Sequence, residues 1–460
     1  MWDRMSGLSR ALAKVKLTSS VKWDFSLMIQ TGPLATSRRS SLTKKLECCM
    51  ELLIQAGQDQ PLELTKRNPV IIYKGVISLN QYEAYFEDKM PEMMNLLEEL
   101  VNIDSGSYHK EGVDKVGTVL RKEFEELDMD VLVHRESEYG DHLEIKAEKD
   151  SDPNIIIIAH MDTVFPEGEA EKRPFKMIGD KAYGPGVSDE KASHVSVLYA
   201  LKLLKENGSD AYKNVHLIFN SDEEIGSRKS KAIIKEASIG KKFSLVVESG
   251  RPDDGIVTER KGIGRFIFDV KGKSAHAGVE PERGRSAIDE LAHKVVKLHD
   301  LNDYERGLSV NVGLIDGGIS SNTVAPDAEA QVDVRVKNME QAKEITAKIT
   351  EIAEEEEVQG TETSLSGKIG RPPMEKVAGT DKLIEEIKAA GEELGMSIRE
   401  VSTGGGSDAA YTSTEGVPTV DGMGPLGEFS HSETDEYIDL KTFPKRTALL
   451  ARTIERLSKV

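Results

Sequence analysis

Five short segments of this 460-residue chain carry side chains of the types that bind metal ions. They are AHMDT with His160 and Asp162, GPGVSDEKA with Asp189, FNSDEEIGS with Asp222, Glu223 and Glu224, LVVESG with Glu248, and FSHSETDEY with His431. One such residue after a strand is more often a cap or a turn residue than a ligand. Their joint occurrence is the signal, because the carboxyl ends of parallel strands converge at one edge of a sheet.

The candidate ligands His160, Asp189, Glu224, Glu248 and His431 predict a centre for two metal ions. Three clustered carboxylates raise one another's pKa values unless cations lie among them. Imidazole and carboxylate ligands suit two Zn²⁺ ions, and Co²⁺ or Mn²⁺ could substitute for them. Asp189 is the natural bridging ligand, because one short carboxylate can offer an oxygen to each ion. Two ions about 3.5 to 4 Å apart can polarise a carbonyl group and activate a water molecule.

The DEE triplet also offers a general base. Hydrolysis needs a base beside the attacking water that is not itself a metal ligand. If Glu224 points to a metal, Glu223 can face the substrate; the alternative is that Glu223 is a surface acid on a turn. Asp162 lies two residues from His160 and therefore on the same side of an extended segment. Its carboxylate is predicted to accept the second N–H of the imidazole and so to fix the tautomer.

Short strands and helices alternate around these segments, from DVLVH at residue 130 to LVVES before residue 250. This alternation predicts an α/β fold with a mostly parallel sheet covered by helices. The four consecutive isoleucines of NIIIIAH predict a strand that is buried on both faces. His160 would then stand at the end of a central strand.

Between residues 260 and 370 the element order becomes β-α-β-β-α-β, which predicts an inserted ferredoxin-like α+β domain. The catalytic α/β domain would then be discontinuous and comprise residues 79–259 and 371–460. Within the insertion, AEAQVDVRV alternates apolar and polar residues, so Arg335 is predicted on the polar face. The Arg335 guanidinium could bind a substrate carboxylate through two hydrogen bonds. The alternative is that Arg335 is an ordinary exposed arginine of a strand.

The formal net charge of −19 argues against nucleic-acid binding, because such a chain repels phosphate backbones. No apolar run reaches the length that spans a bilayer, so no membrane association is expected. The two cysteines, Cys48 and Cys49, are adjacent and predict no disulfide framework, and we expect a cytoplasmic protein. Residues 1–78, whose first part is rich in Lys, Arg and Ser, are expected to be a poorly ordered basic extension, with an organellar targeting segment as the alternative.

Several motifs occur in an order that is specific as a set: HMDTVFP, GPGVSDEK, DEEIGS, GKSAHAG, SNTVAP, DVR, GGGSDAAY and SHSETDEYI. Together they resemble the di-zinc metallopeptidases that include glutamate carboxypeptidase, acetylornithine deacetylase, succinyl-diaminopimelate desuccinylase, aminoacylase and peptidase T. The resemblance covers about residues 82–460 and is closest to glutamate carboxypeptidase. It implies the five ligands above with Asp189 as the bridge, Glu223 as the base and Asp162 as the support of His160.

The resemblance also implies roles for residues outside the ligand segments. The inserted domain would mediate a homodimer and act as a lid, and His276 would reach the partner's active site to polarise the scissile carbonyl. Asn322 would bind substrate. The loop Gly405, Gly406 and Ser407 fits a backbone lining of the substrate pocket better than a phosphate cradle, because no Lys-Ser/Thr pair follows it.

The expected function is a metal-dependent carboxypeptidase or amidohydrolase that cleaves a peptide or N-acyl amino-acid amide bond. The released product would be a C-terminal amino acid such as glutamate. A deacylase of biosynthetic N-acyl amino acids is one alternative, and a catalytically silent binder of metal or peptide is another. Glu190, Ala192 and Ser249 stand where relatives more usually carry Met or Asn, Gly, and Pro, which leaves the substrate side chain open.

Overall fold

The computed structural model describes residues 80–460, so the basic extension at residues 1–78 and the Cys48–Cys49 pair lie outside the described residues. The strands are β1 (Asp130–His134), β2 (His142–Lys146), β3 (Ile155–His160), β4 (Lys176–Ile178), β5 (Lys181–Tyr183), β6 (Val215–Asn220), β7 (Phe243–Val246), β8 (Gly255–Arg260), β9 (Gly262–Lys271), β10 (Ser309–Gly317), β11 (Asp327–Val336), β12 (Glu362–Arg371), β13 (Arg399–Thr403), β14 (Thr419–Val420), β15 (Gly427–Glu428) and β16 (Tyr437–Asp439). The helices are α1 (Asn80–Val101), α2 (Lys110–Glu126), α3 (Glu169–Lys172), α4 (Ala192–Glu206), α5 (Ser230–Ser238), α6 (Ala287–Asp300), α7 (Met339–Glu354), α8 (Thr380–Glu393), α9 (Ala409–Thr414) and α10 (Phe443–Leu457), with a π-helical turn at Val187–Lys191 and 3₁₀ turns at Asp210–Asn214 and Pro281–Arg283.

The largest sheet has six strands in the order β1-β2-β6-β3-β7-β14. Strands β6, β3, β7 and β14 are parallel neighbours, and β1 and β2 extend the sheet in antiparallel orientation. All six residues of β3 are buried, and the strand lies between β6 and β7. A continuous run of isoleucines suits this position because both faces of the strand are covered. The prediction of a mostly parallel, covered sheet is confirmed.

Helices pack on both faces of this sheet. Ile156 and Ile158 of β3 belong to a buried cluster that includes Ile234 of α5 and Tyr411 of α9. Helices α1, α4 and α10 contact one another in a second layer, and α4 is buried over almost its whole length. Helix α1 contains Pro91, and the buried residues Tyr82 and Phe86 before it belong to the apolar stripe of the helix. None of the helices within residues 80–460 has the length and apolar character needed to cross a bilayer.

A second sheet has four antiparallel strands in the order β10-β11-β9-β12. Its elements follow in the order β9-α6-β10-β11-α7-β12, which is the predicted ferredoxin-like arrangement. Alternate residues of β11 from Ala328 to Val336 are buried against α6 and α7, and Arg335 lies on the other face. This segment therefore has an apolar core of its own. The domain boundaries at residues 260 and 370 remain predictions.

A small sheet that combines β4 and β5 with the C-terminal strands β15 and β16 explains how distant residues meet. It has the strand order β15-β16-β5-β4, so β16 pairs with β5 although most of the chain separates them. Strand β5 leads directly into the π-helical turn that contains Asp189, and His431 lies between β15 and β16. This pairing therefore brings the His431 segment to the loop of Asp189.

Candidate metal centre

His160 marks the point where the apolar strand β3 ends in polar groups. The imidazole is only 3% exposed, and its Nε2 lies 3.0 Å from Oδ1 of Asp189. On the other side of the ring, Nδ1 lies 2.9 Å from the backbone oxygen of Asp162 and 3.5 Å from its Oδ1. The predicted hydrogen bond to the Asp162 carboxylate is therefore replaced by one to its backbone oxygen, because the carboxylate is engaged by other donors. Nε2 faces the carboxylate cluster.

Asp189 lies between two imidazoles that come from distant parts of the chain. Its Oδ1 faces His160, and its Oδ2 lies 3.1 Å from Nε2 of His431. Although burial opposes ionisation, hydrogen bonds with these two histidines hold the pKa of the Asp189 carboxyl well below its usual range. One carboxylate with an oxygen directed to each of two histidines is the arrangement expected of a bridging ligand.

Glu224 completes the second side of the cluster. Its Oε2 lies 3.3 Å from Nε2 of His431, and its Oε1 is buried without a hydrogen-bond partner. Burial, helped by the charge of Asp189, raises the pKa of Glu224 to about 7, although the hydrogen bond with His431 opposes the shift. Hydrogen bonds with Asp189 and Glu224 raise the pKa of His431 to about 10. Asp189 and Glu224 thus share the two histidines of the cluster.

Two further carboxylates, Glu248 and Glu190, give the cluster four acids against two histidines. Glu248 follows β7, and burial together with the charge of Asp189 raises its pKa well above the usual range. Glu190 is 1% exposed; its Oε2 accepts the backbone N–H of His160 at 2.7 Å, and its Oε1 has no hydrogen-bond partner. The sequence indicates Glu190 only as a departure from the family pattern. In the structure Glu190 is a buried acid beside His160.

The donor set suits divalent cations. Ligand atoms of His160, Asp189 and Glu224 lie within 4.8 Å of one another. Carboxylate oxygens without partners, such as Oε1 of Glu224, lack the positive charge that buried carboxylates require. His160, Asp189 and Glu248 could hold one ion, and Asp189, Glu224 and His431 the other. Imidazole with carboxylate ligation is typical of zinc sites.

Asp162 supports more of the site than the imidazole. Its buried carboxylate accepts hydrogen bonds from the Ser107 hydroxyl at 2.6 Å, from the Glu223 N–H at 3.1 Å and from the Glu224 N–H at 3.2 Å. The backbone oxygen of Asp162 thus orients the ring of His160, and its side chain orients the backbone that carries Glu223 and Glu224. Such outer contacts fix ligand geometry.

Glu223 contacts an arginine that sequence reasoning missed. Nη1 of Arg371 donates to Oε1 of Glu223, and Nη2 of Arg371 donates to the Glu223 carbonyl at 2.8 Å. Arg371 is 7% exposed, and its Nη2 lies 3.7 Å from Oδ1 of Asp408. Despite burial, the charges of Glu223 and Asp408 hold the pKa of this guanidinium above its usual value. The only sequence signal was a lone Arg at the end of β12.

Glu436 is the second residue that sequence reasoning missed. Its buried carboxylate accepts the N–H groups of Gly186 at 3.0 Å, Ser188 at 2.9 Å and Asp189 at 3.1 Å. Burial raises the pKa of Glu436 to about 7, and these hydrogen bonds oppose that shift. Glu436 therefore holds the turn that presents Asp189. It lies within the SHSETDEYI motif, but nothing in the motif indicated which acid has this task.

Replacing Glu436 with glutamine is expected to weaken zinc binding about 10- to 100-fold, because one acceptor oxygen becomes an N–H₂ group that faces the backbone donors. The affinity can be measured by titration against a competing chelator. Glu433→Gln is the matched control, since Glu433 is an exposed acid of the same segment. Equal zinc affinity in Glu436→Gln and the unchanged chain would show that Glu436 does not support the Asp189 turn.

The glycine loop lies on the side of Glu223 and Arg371. A Cβ added to Gly406 would stand 2.8 Å from Cδ of Arg371, so the backbone packs closely on this arginine. The Ser407 hydroxyl donates to Oδ2 of Asp421 at 2.5 Å, which anchors the end of the loop, and Gly405 is exposed. The structure thus places Gly406 against the arginine that contacts the candidate base, with Gly405 and Ser407 on either side of it in the chain.

The remaining candidates belong to the four-stranded sheet segment. His276 and Asn322 are exposed neighbours: the Ala277 N–H donates to the Asn322 carbonyl at 2.9 Å. Arg335 forms two hydrogen bonds to Asp333, at 2.8 Å and 3.1 Å. Among residues 80–460, none of these three forms an ion pair or hydrogen bond with a candidate metal ligand. Their roles in substrate binding remain predictions.

Comparison with known proteins agrees with this geometry. Residues 156–456 match the model of the family described as peptidase family M20/M25/M40. Carboxypeptidase G2 of Pseudomonas sp. (strain RS-16) is 32% identical over 371 residues, which cover 80% of this chain and 89% of that protein. The family match includes the segments of all five candidate ligands.

Two solved structures show the same fold. The aminopeptidase PepT of Bacillus cereus is 26% identical, with a TM-score of 0.67, and the match covers 80% of this chain and 98% of that chain. A dinuclear metal-binding peptidase of Bacillus subtilis is 18% identical, with a TM-score of 0.60, and the match covers 83% of this chain and 99% of that chain. At this lower identity the second likeness concerns the fold alone.

Proposed function

Because the chain belongs to peptidase family M20/M25/M40, we propose that it is a two-zinc carboxypeptidase that releases a C-terminal amino acid such as glutamate. A metallopeptidase-type hydrolase is the activity that the family and the carboxypeptidase relative establish. The observation that carries the proposal is Asp189, whose two oxygens face His160 and His431. A peptide or N-acyl amino-acid amide would be the substrate class.

Two Zn²⁺ ions would be held by His160, Asp189, Glu224, Glu248 and His431. When bound, they would polarise the scissile carbonyl and lower the pKa of a water molecule. The four acids Asp189, Glu190, Glu224 and Glu248 give the site a strong preference for cations, because buried carboxylates need compensating positive charge. Co²⁺ and Mn²⁺ would be accepted by the same ligands.

Glu223 would act as the general base and then as the general acid. Its carboxylate takes a proton from the attacking water as the new C–O bond forms, and gives it to the amine as the C–N bond breaks. Arg371 orients this carboxylate through Nη1 and the adjacent carbonyl through Nη2. Asp162 fixes the backbone N–H of Glu223 from the other side. The base is therefore positioned before substrate arrives.

Arg335 would anchor the free carboxylate of the substrate. Its fork already forms the two-bond geometry with Asp333, and a substrate carboxylate would take over these donors. Arg335→Gln is expected to raise KM at least about tenfold with a smaller change in kcat, because it removes binding shared by ground state and transition state. Steady-state kinetics measure both constants.

The control for this variant is Arg265→Gln. Arg265 is an exposed arginine on the adjacent strand β9, directly opposite Asp333 of β11. A similar increase of KM in both variants would assign the effect to the charge of the sheet face and would contradict an anchor at Arg335.

A homodimer is part of the proposal. His276 is exposed and, within residues 80–460, forms no hydrogen bond or ion pair with a candidate ligand, which fits a histidine that would act at the centre of a second copy of the chain. Strand β10 is an edge of its sheet, and Leu314 and Ile315 on it are 63% and 62% exposed. An exposed apolar edge strand is a surface that a partner strand can cover. A cytoplasmic location is also proposed, from a chain whose only cysteines are two neighbours.

A substrate screen tests the function. The full-length protein, loaded with zinc, is expected to release glutamate from benzoyl-glutamate, pteroyl-glutamate or a dipeptide ending in glutamate. Release only from short N-acyl amino acids would favour the deacylase alternative. Bound zinc without turnover on any of these substrates would favour a silent binder and overturn the proposal.

A further inference from the structure

The loop between β15 and β16, residues 429–435, carries His431 and is named the His431 loop below. Most of its residues are exposed, and Phe429 and His431 have left-handed backbone conformations, with φ of 60° and 69°. Residues other than glycine rarely adopt this conformation unless surrounding contacts hold them in it. The shape of the His431 loop therefore depends on contacts from other parts of the fold.

Arg173 provides such a contact. Its Nη1 donates to the Ser432 carbonyl at 3.2 Å, directly after the candidate ligand. The Ser432 N–H and hydroxyl form hydrogen bonds only within the loop. Apart from the partners of His431 itself, Arg173 is the only residue among the rest of residues 80–460 that forms a hydrogen bond with the His431 loop.

The Arg173 guanidinium is itself held in place. Its Nε donates to Oε1 of Glu169 one helical turn earlier, and its Cζ lies over the Phe165 ring, 4.7 Å from the ring centre. Glu169 and Phe165 are 8% and 6% exposed, so both partners are buried. A guanidinium that lies on an aromatic face and pairs with a carboxylate has few rotamers available to it. Arg173 can therefore fix the position of the Ser432 carbonyl.

The segment that carries Arg173 begins at the other candidate histidine, His160. It leaves the end of β3 and forms α3, and Asp104 fixes that helix by accepting the N–H groups of Gly168 at 2.8 Å and Ala170 at 2.7 Å. Arg173 thus connects the loop of one histidine to the segment of the other. A single carboxylate can bridge two ions only if the histidines on its two sides keep a fixed separation, and such outer contacts fix ligand positions.

We propose that Arg173 is a positioning residue that holds His431 in place for the second ion of the metal centre. The inference rests on the proposed two-metal centre, in which His431 binds only that ion. Within residues 80–460, the ligands of the first ion form no hydrogen bond or ion pair with Arg173. Loss of the contact between Arg173 and Ser432 therefore weakens the binding of the second ion alone.

Titration of the metal-free, full-length protein with Zn²⁺ against a competing chelator tests the inference. Arg173→Ala is expected to weaken one of the two ions about 10- to 100-fold, which is typical when an outer contact of a ligand is lost, and to leave the other unchanged. Arg121→Ala is the matched control, because Nε of Arg121 likewise pairs with a glutamate one helical turn away, Glu125 on α2. This control removes the same charge and should bind both ions as the unchanged chain does. Thermal unfolding of the metal-free proteins verifies that each variant is folded.

Titration with Co²⁺ identifies the ion that is lost, because the absorption spectrum of Co²⁺ depends on its ligands and geometry. The spectrum of Arg173→Ala with one bound Co²⁺ should match that of His431→Ala, which lacks a ligand of the second ion. Glu169→Ala provides a second route and should weaken the same ion, since it removes the carboxylate that holds Nε of Arg173.

Equal affinities of Arg173→Ala and the unchanged chain for both ions would overturn the positioning role. An equal weakening of both ions would also overturn it, because it would indicate a general loss of structure. A Co²⁺ spectrum unlike that of His431→Ala would assign the loss to the first ion and contradict the inference. If the unchanged chain binds fewer than two ions, the two-metal centre itself fails, and the inference fails with it.

Discussion

Replacing Glu223 with alanine is expected to lower kcat by about 10²- to 10⁴-fold while the protein keeps its zinc. Glu223 contacts Arg371 and not the two histidines of the cluster, so the ligands remain in place when its carboxylate is removed. The lost rate reflects proton transfer between water, base and leaving amine. Turnover is measured on the substrate found by the screen, and zinc content by elemental analysis.

The adjacent residue provides the sharpest control. Glu224→Ala removes the carboxylate that lies 3.3 Å from His431 and should release zinc as well as abolish turnover. Glu223→Gln keeps the shape and the hydrogen bond but cannot accept the proton, so its kcat should match that of Glu223→Ala. Full turnover in Glu223→Ala with normal zinc content would show that another group is the base.

Replacing His276 with alanine is expected to abolish most turnover, although this residue is exposed and forms no hydrogen bond or ion pair with a candidate ligand within residues 80–460. The expected loss is about 10²- to 10³-fold in kcat, which is typical when a donor to the developing oxyanion is removed. The physical reason is that a partner's imidazole would complete each centre of a dimer. Zinc content and folding should stay unchanged, because the side chain is exposed.

Mixing two inactive variants tests the action across the dimer directly. A dimer of one Glu223→Ala subunit and one His276→Ala subunit has one site with both an intact base and an intact histidine. Random reassembly should therefore restore about a quarter of the original activity. His293→Ala, an exposed histidine on α6, is the control and should remain active. No recovery in the mixture, with mixed dimers present, would contradict the role in the partner's site.

The parts of the fold that depend on local pattern could be predicted from the sequence. The isoleucines of β3 indicated a strand covered on both faces, and the alternation in β11 placed Arg335 opposite the core. In both cases a short stretch of sequence contains the whole physical argument. Convergence of strand ends accounts for His160 and Glu224, which follow β3 and β6, whereas Asp189 and His431 meet through the separate sheet in which β16 pairs with β5.

Local sequence patterns did not predict the contacts between side chains that are far apart in the chain. Arg371 meets Glu223, and Glu436 meets the N–H groups around Asp189, through packing that no periodicity encodes. The hydrogen bonds from Arg335 to Asp333 depend on the side-chain rotamers of both residues. The alternation of a strand predicts the face on which a side chain lies, but not its hydrogen-bond partner. The burial of Glu190 likewise depends on the turn at Val187–Lys191, which has no simple sequence signature.

The position of Asp189 has a consequence for how the protein is held together. His160 belongs to the central sheet and His431 to the loop between β15 and β16, so ions shared through Asp189 would cross-link the C-terminal hairpin to the sheet. A ligand at 100 times its dissociation constant stabilises the folded state by about 2.7 kcal/mol. The concentration of free metal would thus set the free energy of unfolding of this part of the fold as well as the activity.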